Sequence, residues 1–264
     1  MLTPQQLKER EGKLTASSVA CLMTGDKKKM LHLWRELVGD PEYEPFDFSR
    51  IWPVQLGSVT EELNLDWYEQ KTGSPVTRRG EVVISKRADW AACTLDGWDE
   101  AKGFPIECKH VGGRESLATV LARYQPQFHW QMIVTESNCV VASIIEGANE
   151  PLLEKIELQV DYAEELWRRA EKFMWHVNTL TPPVSIAPVA PPLPATVAYD
   201  FTGKNEWADK AVTWLENAPK AKLAETASDA LKAMVPEDAQ KVHGHGVVIT
   251  RDRARRLSLR EAKE

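Results

Sequence analysis

A proline-rich stretch at 181–196 is the feature that most constrains how this chain of 264 residues can fold. Six of the thirteen positions at 182–194 are proline, and the residues between them are mainly alanine and valine. Because proline fixes φ and lacks an amide donor, the stretch suits neither a helix interior nor a central strand. We therefore expect three regions: a folded domain at 1–180, an extended linker at 181–196 and a smaller appendage at 197–264.

The composition is that of an ordinary globular protein. Hydrophobic residues make up 43% of the chain and charged residues 27%, and no window approaches the roughly 18 uninterrupted apolar residues that a membrane helix needs. The first ten residues are polar and lack the apolar core of a signal peptide. Four widely spaced cysteines form no CxxC pair, which argues against a zinc ribbon or a disulfide framework. We expect a cytoplasmic protein that does not associate with membranes.

Apolar periodicity predicts a mixed domain before the proline-rich stretch. The predicted helices are at 14–23, 30–38, 58–71, 116–123, 127–134 and 162–177. The predicted strands are at 82–84, 90–95, 104–109, 140–145 and 156–160. This order indicates an α/β or α+β fold in which helices flank a central sheet.

The appendage has a different pattern. Its periodicity predicts two amphipathic helices, at 206–215 and 222–234, and then a hairpin with a basic turn at 246–260. Residues 241–264 contain seven Lys or Arg and three Asp or Glu, although the whole chain has a net charge of −6. This basic tail can contact DNA phosphates, bind an acidic partner or dock on the first domain, and the sequence leaves all three open.

Two short segments carry residues that suggest chemistry. Asp96 ends an apolar run and precedes a turn glycine. Glu107 and Lys109 alternate along a predicted strand, so their side chains point to the same face. If that strand pairs beside Asp96, two carboxylates and an ammonium converge, and the helix predicted at 58–71 carries further carboxylates near its start.

Such a group suits a hard divalent cation. Mg²⁺ prefers oxygen ligands, so two carboxylates can hold it while a phosphate oxygen and an attacking water take other positions. Lys109 beside them can orient or deprotonate that water. Taken alone, however, an Asp before Gly is often only a turn residue, and Glu-x-Lys is common as an exposed cross-strand pair.

Five motifs, in a fixed order, extend this interpretation. They are GKLTASSVACLM, LGSVTEELNLDWYEQKTG, WAACTLDGW, IECKH and YQPQFHWQMIVT. With them, over roughly residues 8–180, the chain resembles the phage lambda exonuclease and YqaJ-like viral recombinase family of the PD-(D/E)xK nuclease superfamily. The resemblance implies a restriction-endonuclease-like core with a central mixed sheet flanked by helices.

The resemblance also implies roles for individual residues. Lys109 would be the catalytic lysine, and Gln127, which follows the tyrosine of the last motif, would lie beside the active site. The family's helix motif selects Glu61 over Glu62 as a carboxylate for a second metal or its water shell. The implied ligands of Mg²⁺, or of Mn²⁺ as its substitute, are Asp96, Glu107, the backbone carbonyl of Cys108, and Glu61.

A further motif resembles the family's 5′-phosphate pocket. Arg10 and Gly12, followed by the Thr-Ala-Ser of 15–17, reproduce its spacing, and Thr94 stands where the family can have serine. A guanidinium and a hydroxyl suit a terminal phosphate, because the fork of donors matches its oxygens. The resemblance thus implies a pocket of Arg10, Ser17 and Thr94, whereas Arg10 considered alone is an exposed, solvated arginine.

These features predict a Mg²⁺-dependent 5′→3′ exodeoxyribonuclease that digests one strand of linear duplex DNA and leaves 3′ overhangs for phage-type single-strand annealing. Its partners would be duplex DNA ends, an annealing protein and, by analogy, two further copies of the chain in a ring-shaped trimer. Two alternatives stay open: a structure-specific or restriction-like endonuclease of the same superfamily, and a non-catalytic DNA-binding recombination adaptor. The Arg10 pocket favours the exonuclease over the first, and intact Asp96, Glu107 and Lys109 argue against the second.

Overall fold

The computed structural model describes residues 3–48, 50–113, 115–192 and 201–262. The chain forms two compact units, at 1–196 and 197–264. In the described ranges, no helix is both long enough and apolar enough to cross a membrane.

The first unit has six helices among its described residues. They are α1 (Pro4–Glu9), α2 (Ala20–Thr24), α3 (Lys27–Val38), α4 (Trp52–Thr72), α5 (Leu117–Thr135) and α6 (Val160–Asn178). Several ends follow local rules: Asp26 caps α3 by accepting from two backbone amides, and Gly73 ends α4 with a φ of 68°. That left-handed conformation is one that glycine adopts without a steric cost, so Gly73 ends the helix close to the predicted end at residue 71.

The central sheet is mixed, as expected. Its strands, in spatial order, are β1 (Val76–Thr77), β4 (Gly97–Asp99), β5 (Phe104–Val111), β6 (Cys139–Glu146) and β7 (Leu152–Glu157). Only β5 and β6 pair in parallel, with α5 as the connection between them, and the other pairs are antiparallel. A second, small antiparallel pair consists of β2 (Val82–Ile84) and β3 (Ala92–Thr94).

The two faces of the sheet pack against different helices. On one face, Leu65 and Tyr68 of α4 pack with Ile106 of β5. On the other face, Phe128 and Met132 of α5 pack against the sheet. Beyond α5, a stack of aromatic rings fills the core: the centroids of Trp130 and Trp167 lie 5.7 Å apart, and those of Trp90 and Trp167 lie 5.0 Å apart. The predicted arrangement of a sheet between helices is confirmed.

Several predicted boundaries are wrong. Helix α4 begins at Trp52 and not at 58, and β7 covers Leu152–Glu157, whereas the prediction was a strand at 156–160. Residues 14–23 do not form one helix, because Leu14 makes a β-bridge with Ala91, in which its amide donates to Trp90 O at 2.7 Å. The segments 116–123 and 127–134 form one helix, although Pro126 interrupts its hydrogen bonding. An internal proline costs about 3 kcal/mol, and burial of the α5 side chains against the sheet and the aromatic stack offsets that loss.

The proline-rich stretch is described over 181–192, and there it is neither helix nor strand. It packs against the rest of the first unit. The guanidinium of Arg169 donates to Leu22 O at 2.7 Å and to Ala187 O at 2.8 Å, and the amide of Val189 donates to Met23 O at 2.8 Å. Its remaining residues lie outside the described ranges.

The second unit contains one long helix, α7 (Asn205–Ala233), and a sheet of β8 (Lys241–Gly244), β9 (Val247–Arg251) and β10 (Leu257–Glu261) in the order β10-β9-β8. The two helices predicted at 206–215 and 222–234 are thus continuous through Pro219. The predicted hairpin is present as β9 and β10. The third strand, β8, escaped prediction because its four residues are all exposed and carry no apolar alternation.

Candidate active site

The residues singled out from the sequence meet in one cleft of about 450 Å³. It opens where β5 passes the turn between β3 and β4, with α4 on one side and α5 on the other. The sequence-predicted residues that line it are Arg10, Ser17, Glu61, Thr94, Asp96, Glu107, Cys108, Lys109 and Gln127. Their separation along the chain reaches more than a hundred residues, so the cleft is assembled by the tertiary fold.

Strand pairing determines the acidic centre. Asp96 comes immediately before β4 in the sequence, and Oδ2 of its side chain accepts a hydrogen bond of 2.7 Å from the amide of Cys108 on β5. Glu107 and Lys109 lie on the same face of β5, and the ammonium of Lys109 forms an ion pair with Glu107 Oε1. The expected convergence of two carboxylates and a lysine is therefore observed.

Glu107 is held from three sides. It is 1% exposed, and Gln127 of α5 donates to the same Oε1 that Lys109 contacts. Gln131, one turn further along α5, donates to Oε2. Sequence reasoning missed Gln131, although its spacing of four residues from Gln127 places both amides on the same helix face.

The site carries more negative than positive charge. Burial and the neighbouring charge of Glu107 raise the pKa of Asp96 well above its ordinary value, and the same two causes raise the pKa of Glu61. Burial by itself lowers the pKa of Lys109, but the carboxylates of Glu107 and Asp96 outweigh it and raise that pKa. One ammonium thus faces three carboxylates, and the cluster favours a further cation.

The donor chemistry fits a hard divalent cation, because the carboxylates offer only oxygen ligands and their repulsion would be relieved on binding. The side chains that the structure describes do not form a complete set of metal ligands. Within the described ranges no group of three or more His, Cys, Asp or Glu residues is arranged around a common metal position. Both oxygens of Glu107 are already engaged by Lys109 and the two glutamines.

The ring of Tyr124 covers Lys109. The ammonium lies 4.9 Å from the centroid of this ring, which also lines the cleft. A cation over an aromatic face gains electrostatic attraction without a second carboxylate. The contact leaves Lys109 oriented towards Glu107 and restricts its side chain.

The same cleft contains a basic pocket. The guanidinium of Arg10 donates to the hydroxyl of Thr94 at 3.0 Å and to that of Thr15 at 3.2 Å. The hydroxyls of Thr15 and Ser17 lie 3.3 Å apart, and Ser17 is exposed. Thr15 therefore joins Arg10 to Ser17. It is part of the sequence motif, but the predicted pocket consists only of Arg10, Ser17 and Thr94.

The pocket and the acidic centre are joined through a short segment. This segment is 91–96, which contains both Thr94 of the pocket and Asp96 of the acidic centre. Its first residue, Ala91, makes a β-bridge with Leu14, which lies four positions after Arg10. Partial burial lowers the pKa of Arg10 from its ordinary value. Arginine nevertheless stays cationic at neutral pH, because its ordinary pKa lies far above neutrality.

Two histidines near the motifs have structural partners. His129 is fully buried, and its Nε2 accepts from the amide of Gln159 at 3.1 Å, so its Nδ1 donates to Gln125 O at 2.9 Å. His110 bonds through Nδ1 with the hydroxyl of Thr60, next to Glu61 in sequence, and through Nε2 with Gly147 O. His110 thus ties α4 to β5 beside the acidic centre.

Three of the solved structures that resemble this chain are described as exonucleases. An alkaline exonuclease from Laribacter hongkongensis, LHK-Exo, is 19% identical with a TM-score of 0.56, and the alignment covers 67% of this chain and 94% of that one. The structure of the same protein in complex with dAMP is 20% identical with a TM-score of 0.53, and the alignment covers 67% of this chain and 96% of that one. A phage-related exonuclease from Haemophilus somnus 129PT is 12% identical with a TM-score of 0.51, and the alignment covers 64% of this chain and 94% of that one. At these identities the similarity establishes a common fold.

The family follows from the sequence itself. Residues 6–138 match the YqaJ-like viral recombinase domain, which is half of the chain and includes every residue described above for the acidic centre and the basic pocket. The protein belongs to this family. No curated protein matches the chain.

Proposed function

We propose that the protein is a Mg²⁺-dependent exodeoxyribonuclease that degrades one strand of linear duplex DNA in the 5′→3′ direction. The observation that carries this proposal is the presence, in one cleft, of an acidic centre with a lysine and of a separate arginine–hydroxyl pocket. A terminal 5′-phosphate in the pocket would hold the strand end at a set distance from the acidic centre. Cleavage would then be directional.

Asp96, Glu107 and the carbonyl of Cys108 would hold the metal ion, with Glu61 serving a second ion or its water shell. When bound, Mg²⁺, or Mn²⁺ in its place, supplies Lewis-acid stabilisation of the charge that builds up on the scissile phosphate. The excess of carboxylates over ammonium groups in the cleft supports this assignment.

The remaining chemistry falls to the protein's own side chains. An oxygen of water forms a bond to phosphorus while the bond between phosphorus and O3′ of the terminal nucleotide breaks, and solvent takes the water's proton and returns one to O3′. The charged ammonium of Lys109 orients the water and stabilises the developing negative charge. Gln127 and Gln131 keep the carboxylate of Glu107 in one orientation.

This bond cleavage explains how digestion could continue along a strand. The released product is a deoxynucleoside 5′-monophosphate, the chemical class to which the dAMP bound to the Laribacter protein belongs. The shortened strand keeps the phosphate on its new 5′ end. Each step therefore regenerates the group that Arg10, Ser17 and Thr94 would bind.

The biological setting is part of the proposal. The 3′ single strands left by digestion would serve a single-strand annealing protein in recombination, in the cytoplasm of a bacterial host. Membership of a viral recombinase family supports this role. A ring-shaped trimer around DNA rests on analogy with the family.

The test uses linear duplex DNA with and without 5′-phosphates and a covalently closed circle, each with Mg²⁺, Mn²⁺ or EDTA. We expect metal-dependent loss of one strand from phosphorylated ends, no cutting of the circle, and no activity in Lys109→Ala. Cutting of the circle would instead support an endonuclease. Binding of DNA without cleavage under any metal would support the non-catalytic adaptor.

A further inference from the structure

The strand register of the second unit separates its small sheet into two different faces. Opposite residues in antiparallel strands share a face, so Lys241, Thr250 and Ser258 form one cross-strand row and His243, Val248 and Arg260 form the next. Four of these six side chains are exposed: Lys241, His243, Ser258 and Arg260. We call these two rows the basic face.

The other face is apolar and partly covered. Val242, Ile249 and Leu259 lie opposite one another on it, and Ile249 is buried. Arg251, on the same face, is already used in structure: its guanidinium donates to Ala239 O at 3.1 Å and to Pro236 O at 3.0 Å. This arginine is therefore not available to a ligand.

The turn between β9 and β10 adds further positive charge. Asp252 accepts from the amide and the guanidinium of Arg256, both at 2.8 Å, and these contacts close the turn. Arg253 and Arg255 lie exposed between them. In the described part of the chain, Lys241, Arg253, Arg255 and Arg260 have no carboxylate within salt-bridge distance.

We propose that the basic face and its turn bind the phosphodiester backbone of nucleic acid, as a second, non-catalytic contact site. A face with cations and hydroxyls matches phosphate oxygens, which accept from Lys, Arg, Ser and Thr alike. A protein partner would need an apolar centre to the interface. The only apolar side chain of the basic face, Val248, is buried, so the face offers charge and hydroxyls but no apolar anchor.

This inference rests on the proposed function in one respect, that the protein acts on DNA. The site itself contains none of the residues that line the catalytic cleft, and it lies outside residues 6–138, which match the family. Its function would be to keep the protein on DNA between successive cleavage steps, independently of the 5′-phosphate. The binding is electrostatic, so it is independent of sequence and weakens steeply with salt.

The test measures equilibrium binding of the full chain to fluorescent 40-base-pair duplex and to the matching single strand, in EDTA, over a series of salt concentrations. The turn variant is Arg253→Ser with Arg255→Asn, because Arg255 has a φ of 62° and asparagine tolerates that conformation. The face variant is Lys241→Gln with Arg260→Gln. The control is Lys210→Gln with Lys220→Gln on α7, two exposed lysines whose loss changes the charge of the same unit equally.

We expect the turn and face variants each to bind duplex roughly tenfold or more weakly at 0.1 M salt, and the slope of log K against log salt to fall by about 1.8. The control should match the unaltered chain. Equal losses in all three variants would overturn the site in favour of a general charge effect. Unchanged affinity and slope in the turn and face variants would overturn it outright.

A parallel cleavage assay separates this inference from the proposed function. If the unaltered chain cleaves DNA but the variants bind as it does, the second site is wrong and the nuclease stands. If no chain cleaves but the salt slope falls in the turn and face variants alone, the nuclease is wrong and the DNA-binding site stands. The single-strand arm reveals whether the site prefers substrate duplex or the product strand.

Discussion

The amide of Cys108 donates a hydrogen bond of 2.7 Å to Oδ2 of Asp96, and this contact joins the two halves of the acidic centre. It places Asp96 beside Glu107, although the two residues are eleven positions apart in the sequence. The backbone amide satisfies only one oxygen of a carboxylate that burial and its neighbours destabilise. The protein thus keeps a carboxyl group whose ionisation is unfavourable at a fixed position in the cleft, as functional sites often do.

Asp96→Asn should therefore stabilise the protein while abolishing cleavage. Because burial and Glu107 raise the pKa of Asp96, its ionised form opposes folding at neutral pH when no metal is bound, and the amide removes that charge while its oxygen still accepts from Cys108. We expect the melting temperature in EDTA to rise by about 2 °C or more. A fall in melting temperature, measured by calorimetry, would contradict the reasoning.

Gln131→Met should reduce both activity and stability. The amide nitrogen of Gln131 donates to Oε2 of Glu107, so methionine leaves that buried carboxylate oxygen without a donor, although it also removes the unsatisfied Oε1 of Gln131. We expect the cleavage rate to fall about tenfold, by analogy with loss of a positioning contact. The urea midpoint in EDTA should fall. An unchanged rate would mean that Lys109 and Gln127 alone orient Glu107.

Arg10→Lys should remove the preference for phosphorylated ends. Lysine keeps the charge but loses the fork that donates to Thr94 and Thr15 together. We expect the ratio of initial rates on 5′-phosphorylated and 5′-hydroxyl duplexes to approach 1. The variant Lys8→Gln, an exposed change on α1 two residues before Arg10, serves as the control and should keep the ratio of the unaltered chain.

His129 should make the protein lose stability as the pH falls below about 6.5. Burial lowers the pKa of His129 in the folded state, so the unfolded chain binds the proton more readily and acid favours unfolding. The contribution is complete above the unfolded pKa and decreases as the pH falls, by at most about 1.4 kcal/mol per pH unit.

The measurement is urea unfolding of the unaltered chain and of His129→Gln between pH 7.5 and pH 5.5, in EDTA. Glutamine can donate to Gln125 O and accept from Gln159, but it does not titrate. We expect a shallower loss of stability towards acid in the variant. Parallel curves would show that His129 is not the group responsible.

Much of the site could be predicted because its signals are local. Alternation along a strand is enough to bring Glu107 and Lys109 to one face, and Gly73 is enough to end α4. The five motifs in order then identified the family, which the match at 6–138 confirms. Two of the boundaries that failed, at Leu14 and Pro126, are positions where a distant contact overrides local preference.

The sequence by itself determined the residue types of the acidic centre, the basic pocket and the proline-rich stretch, because chemistry and strand or helix periodicity are properties of neighbouring residues. Only the tertiary structure decided that Gln131 contacts Glu107, that Thr15 links Arg10 to Ser17, and that β8 completes a basic face. Each of these depends on elements far apart in the chain being brought into register. Register is set by packing and strand pairing over the whole fold, and no short window of sequence contains it.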